Sequence, residues 1–170
     1  MPWEVDREDL LPQGFQAPHM TIPQIMPTIA PDLSNLPDPI EFPEHGTMKV
    51  FSELERVAKF EIITSDEGAY YYIKLKPTGD AGGDIVFYLD KNTTFETMVP
   101  LGIYELLFAV GNTWYGDKEL FGPYATYLKT NTLYEFYIDD NDVVWGLSQD
   151  LKRHVLGSLH SQPVDPSEFQ

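Results

Sequence analysis

The chain has 170 residues, 27 acidic against 11 basic side chains, a formal net charge of −16, and no cysteine. That length suits one domain with an appendage and can bury a real core. The charge argues against gripping nucleic acid through its phosphates or settling on an anionic membrane, since both need a basic face. The missing cysteine removes disulfides, thiolate metal sites and a thiol nucleophile together. Ten Tyr, ten Phe and three Trp favour strands as core material.

The first 46 residues hold nine of the 14 prolines, at Pro2, Pro12, Pro18, Pro23, Pro27, Pro31, Pro37, Pro39 and Pro43. Each proline removes a backbone donor and pushes its predecessor toward extended geometry, so this spacing predicts an extended arm without helix or central strand. Apolar residues punctuate it, among them Trp3, Phe15, Ile22, Ile25, Ile29, Leu36 and Phe42. A plain disordered linker lacks such residues. They mark a strap that lies in grooves, either on its own domain or, the reading preferred here, on a partner subunit. Eight carboxylates and the single base Arg7 leave the arm about seven charges negative. The N-terminus shows no basic-then-apolar leader pattern and no apolar run spans a membrane, so the expected place is the cytoplasm or a virion assembled there.

Between Gly46 and Ser65, Ser52-Glu53-Leu54-Glu55 matches a capping box and predicts a short helical turn. From Phe60 the pattern turns to strands. Phe60 and Ile62 alternate with charged neighbours, and Tyr71, Ile73 and Leu75 alternate with Tyr72 and Lys74. After a glycine-rich turn come Ile85, Phe87 and Leu89, then Phe95 to Val99. In the next run Tyr104, Leu106, Phe108 and Val110 form one face, while Leu107 and Ala109 make the other nearly apolar, as in a strand covered on both sides. Tyr134, Phe136 and Ile138 lead through Asp139-Asp140-Asn141-Asp142 into Val143-Val144-Trp145. About seven strands at this spacing predict an all-β antiparallel sandwich over residues 47–150, immunoglobulin-like or prealbumin-like. Residues 151–170 read as a tail, a short helix over Leu151–Leu156 followed by a loose end at Pro163 and Pro166. A chain starting near Gly46 is expected to fold with nearly unchanged stability.

Catalytic groups are sparse. The four histidines (His19, His45, His154 and His160) lie in the arm and tail, so a rigid Ser-His-Asp arrangement is not supplied by the strand region. No phosphate-binding glycine loop is present. The aspartates at 139–142 lack the glycine and distal glutamate of a calcium loop, and a turn whose side chains bond their own backbone explains them. No cofactor or metal is expected, and no enzyme.

The distinctive stretch is Pro100-Leu101-Gly102-Ile103-Tyr104-Glu105-Leu106, then Trp114-Tyr115-Gly116 and Leu120-Phe121-Gly122. The P-x-G-x-Y element resembles the strand entry of transthyretin-like and Cna-B-like sandwiches. With Tyr127 and Lys129, the fuller pattern resembles a family of small, mostly uncharacterised bacterial and phage proteins, over about half the chain from Phe60 to Trp145. The resemblance implies a fold and a host range and brings no chemistry with it. On their own, Trp114, Tyr115 and Phe121 either plug one end of the sandwich or form an exposed recognition patch, Gly116 and Gly122 bracketing the excursion between them.

The expected function is that of a non-enzymatic binding or structural protein anchored by its arm on a larger assembly, a phage virion accessory such as a capsid decoration, head-tail or tail-associated subunit. Its partners are protein subunits, further copies of this chain among them. Two other readings stand beside it: an acidic, DNA-mimicking cytosolic inhibitor, and a carbohydrate-binding module using Trp114, Tyr115 and Phe121.

Overall fold

The computed structural model describes residues 32–79, 82–152 and 161–170. The chain divides into two units, Met1–Ser34 and Asn35–Gln170. Of the first only its last residues are described, where the Asp32 carboxylate accepts from the Ser34 amide at 2.9 Å. The arm residues Trp3, Phe15, Ile22, Ile25 and Ile29 lie outside the described residues.

The second unit is all-β, and about half of the described residues are strand. In chain order the strands are β1 (Thr47–Val50), β2 (Arg56–Ile63), β3 (Tyr70–Pro77), β4 (Ile85–Asp90), β5 (Thr94–Pro100), β6 (Gly102–Gly111), β7 (Thr126–Thr130), β8 (Tyr134–Ile138), β9 (Val144–Trp145), β10 (Leu147–Asp150) and β11 (Ser161–Pro163). The larger sheet runs β1-β4-β3-β6-β7-β11, with β8 pairing the start of β6 and β9 pairing β8. The smaller sheet is β10-β2-β5. All pairings are antiparallel save β10 on β2, which is parallel.

Side-chain alternation then assigns the faces. Phe60 and Ile62 of β2, Tyr71, Ile73 and Leu75 of β3, Ile85, Phe87 and Leu89 of β4, and Leu106 and Phe108 of β6 are all fully buried in the core between the sheets. The opposite residues of the same strands, Tyr72, Val86, Tyr88, Leu107 and Ala109, are also buried. They belong to a second apolar layer on the outer face of the larger sheet, completed by Phe42, Trp114, Leu120, Phe121, Tyr127 and Phe169. The doubly apolar β6 read from sequence is therefore covered on both sides, by strands within and by irregular chain without.

Three expectations are corrected. The capping box makes no helix: the Ser52 hydroxyl accepts from Leu54 N at 3.2 Å, and the chain enters β2 at Arg56. The alternation of Ala58, Phe60 and Ile62 rewards a strand with core burial, which a local cap worth about 1 kcal/mol does not match. The unit boundary falls after Ser34, not at 46. Ile40 N donates to Trp114 O at 2.9 Å, Phe42 is buried, and His45 Nδ1 accepts from Asp90 N at 3.0 Å. The end of the chain is not loose either. β11 pairs with β7, and a 3-10 turn over Pro166–Phe169, capped by Asp165, buries Phe169. Lys74, only 4% exposed, donates to the Phe169 carbonyl at 2.9 Å and pairs with Asp84 at 2.7 Å. A buried ammonium needs such partners, so the terminal turn is tied to the sheet centre. The helix expected over Leu151–Leu156 lies mostly on residues outside those described.

Candidate functional site

The W-Y-G and L-F-G motifs sit in one loop joining β6 to β7. Its own backbone shapes it: Tyr115 N donates to Leu120 O at 2.8 Å, Leu120 N to Gly116 O at 2.7 Å, and Gly122 N to Glu119 O at 2.9 Å. Gly116 and Gly122 have φ of 100° and 72°, which is why the two motifs end in glycine. Folded back in this way, the loop lays Trp114, Leu120 and Phe121 on the sheet's outer face.

Trp114 is 3% exposed. Its ring meets Phe42 edge-on at 5.2 Å, Tyr88 edge-on at 5.9 Å and Phe121 at 5.1 Å, and stacks on Tyr72 at 5.8 Å. Phe42 in turn stacks on Tyr70 at 4.4 Å. Such offset and edge-on pairs add to the energy of burial. Trp114 and Phe121 therefore belong to the packing of a sheet face and not to the closure of a sandwich end. An exposed Trp114-Tyr115-Phe121 platform does not exist, since only Tyr115 of the three keeps partial exposure. Phe42 likewise packs within its own unit, and Leu36 is half-buried with its Cδ1 beside Gly122.

The phenols of this layer are held protonated. Burial pushes the Tyr127 hydroxyl up to about 12, and its proton is donated to the Gly122 carbonyl at 2.7 Å. Burial also raises Tyr72 and Tyr88. The Tyr88 hydroxyl donates to Asp117, whose other oxygen pairs with Lys49. This network fixes the Asp117–Glu119 excursion and presents no nucleophile next to a base. Among the described residues no group of three His, Asp or Glu side chains is placed to hold a metal.

A different surface is left open. The β8–β9 hairpin is apolar on both faces yet exposed at Tyr137, Ile138, Val143 and Val144, with Trp145 50% exposed. The rings of Tyr137 and Trp145 lie nearly parallel, 16° apart in plane and 6.3 Å between centroids. Asp139 organises the turn: one carboxylate oxygen accepts from Asn141 N and Val143 N at 2.9 and 3.0 Å, and the other accepts from the Trp145 indole at 3.0 Å. The indole bond foremost, and the two amides with it, hold that carboxyl below its usual range. The aspartate-rich turn thus spends its first carboxylate on its own backbone, as the sequence reading had it.

Sequence reasoning placed strands at Ile138 and Val143–Trp145 without foreseeing that their apolar side chains stay outside the core. No local signal separates them: Val143, Val144 and Trp145 are apolar in succession, as are Phe136, Tyr137 and Ile138, and such runs read equally well as a strand covered on both faces. No helix among the described residues is long and apolar enough to cross a membrane. Compared with family models, with curated proteins and with solved structures, the chain finds no match.

Proposed function

We propose that the protein is a non-enzymatic binding subunit of a larger protein assembly, and that the β8–β9 hairpin is the face it presents to its partner. The carrying observation is the pre-shaped, two-faced apolar hairpin with its stacked Tyr137 and Trp145. An isolated two-stranded hairpin is marginal in water. This one is held at its tip by Asp139 and continues β8, so little ordering entropy remains to be lost on binding. Exposed Trp and Tyr in a cluster have the character of interface anchors. Asp139, Asp140 and Asp142 at the tip, in a chain of charge −16, favour a partner with a basic rim and disfavour a second copy of the same acidic tip.

The finer placement, a virion accessory anchored through the proline-rich arm, rests on the sequence resemblance and on the apolar residues spaced between the prolines. An assembly that supplies grooves for the arm and a basic-rimmed pocket for the hairpin satisfies both features. The test is sedimentation of native-host lysate containing either the full chain or its Tyr137→Ser/Trp145→Ser variant. The intact chain should travel with a large particle and the variant should remain at the top of the gradient, with its melting curve unchanged because both side chains lie outside the core. An intact chain that sediments as a free monomer would overturn the reading.

A further inference from the structure

We propose a second binding site, independent of the hairpin, that takes one ring of a neutral saccharide. A cleft of about 270 Å³ opens where the end of β6 meets the returning loop and the turn before β3. Its walls carry two aromatic rings, Tyr115 and the 69% exposed Tyr124. Phe121, Gly68 and Gly111 also line it. Gly111 is bare because a Cβ there would stand 2.5 Å from Phe121 Cβ, and Gly68, at φ 64°, because one would stand 2.6 Å from Val110 Cγ1. The side chains of Glu67, Asn112, Thr113 and Thr126 also line the cleft, and none of them makes a hydrogen bond or ion pair with the described residues.

The lining decides the class of ligand. No Lys, Arg or His lines the cleft, and Glu67 would repel an anion. A single carboxylate is too few for a divalent cation. A peptide added as a strand needs a free edge, but Val110 already pairs with Thr126 and Gly111 with Tyr70. What remains unpaired is a mixture of donors and acceptors (an amide, two hydroxyls and a carboxylate) beside the exposed Tyr124 and the half-buried Tyr115. Hydroxyl groups of a sugar match the first set, and the C–H face of a pyranose matches the rings. The volume falls below the roughly 300–1,000 Å³ of drug-sized sites, so one ring is held and neighbouring sugars extend into solvent.

The test titrates the full-length, 15N-labelled chain with a panel of neutral methyl glycosides and N-acetylhexosamines, alongside a uronic acid. At least one neutral glycoside should give saturable shifts confined to amides around Gly68, Asn112 and Tyr124, and the uronic acid should bind more weakly. Tyr124→Ala should lower affinity about tenfold or more while leaving the melting curve in place, since its ring is exposed. Asn112 is also exposed, and Asn112→Ala should likewise weaken binding. Absence of saturable shifts across the panel, stronger binding of the uronic acid, or shifts indifferent to Tyr124→Ala would each overturn the assignment. None of these results bears on the hairpin, whose variant leaves the cleft intact.

Discussion

Trp114→Ala should destabilise the protein by roughly 3–5 kcal/mol, the usual loss for a fully buried large aromatic. In a chain of this size that corresponds to a melting temperature lower by on the order of 10 °C. The magnitude follows from geometry: the indole is 3% exposed and touches four rings from four separate parts of the chain. Gly111→Ala should act in the same direction from the opposite side. The added methyl would meet Phe121 at its Cβ and Cγ, the part of the side chain fixed by the loop backbone. Relief requires lifting the L-F-G segment off the sheet. Thermal melts of both variants check this, and a stability change below about 1 kcal/mol for Trp114→Ala would mean that the outer layer is not a core.

The second large effect concerns the segment before β1. A chain beginning at Asn35 and one beginning at Gly46 should differ sharply in stability, the shorter being weaker by at least about 3 kcal/mol. It loses Phe42, which stacks on Tyr70 and meets Tyr88, Trp114 and Phe121. It also loses the Ile40 amide bond to Trp114 and the His45 cap on Asp90 N. Phe42→Ala in the longer chain should recover most of the difference, because the ring supplies most of the buried area. Equal melting curves for the two chains would restore the arm boundary that proline spacing suggested.

That boundary illustrates what the sequence made legible. Proline density marked residues 1–46 as irregular, and irregular they are where described, but irregular chain can still be core. Nothing local distinguishes Phe42 from the other apolar residues between prolines; its burial is fixed by Tyr70, Tyr88 and Trp114, far away in sequence. Phe169 is the same case at the other end, one aromatic in a polar tail, seated by Lys74 and Tyr127. By contrast β3, β4 and β6 were readable because apolar and aromatic residues run over six or more positions between turn signals, a strong local signal. Strands β1, β7, β10 and β11 are short and half-polar, and they exist because a neighbouring edge offers hydrogen bonds. Leu147-Ser148-Gln149-Asp150 shows this most clearly: its sequence resembles a loop, yet it pairs in parallel with β2, and Gly146 has room for no side chain against Lys59 O.

The candidate site was legible only in part. The W-Y-G and L-F-G motifs were found, and their glycines have a conformational reason. The exposure that would have made them a recognition patch belongs instead to Tyr124 and to the β8–β9 hairpin. Exposure is a property of what lies on top, and the two tryptophans separate on it: Trp114 lies beneath a folded loop, Trp145 beneath nothing described.

Tryptophan footprinting by mild oxidation and mass spectrometry therefore tests the account most directly, on the free full-length protein and on the large particle fraction with which the proposed function expects it to sediment. In the free protein Trp145 should be modified quickly and Trp114 slowly, and in the particle Trp145 should become as protected as Trp114. Rapid modification of Trp114 in the folded free chain would contradict the packed outer layer. Undiminished modification of Trp145 in the particle would contradict the hairpin as its binding face.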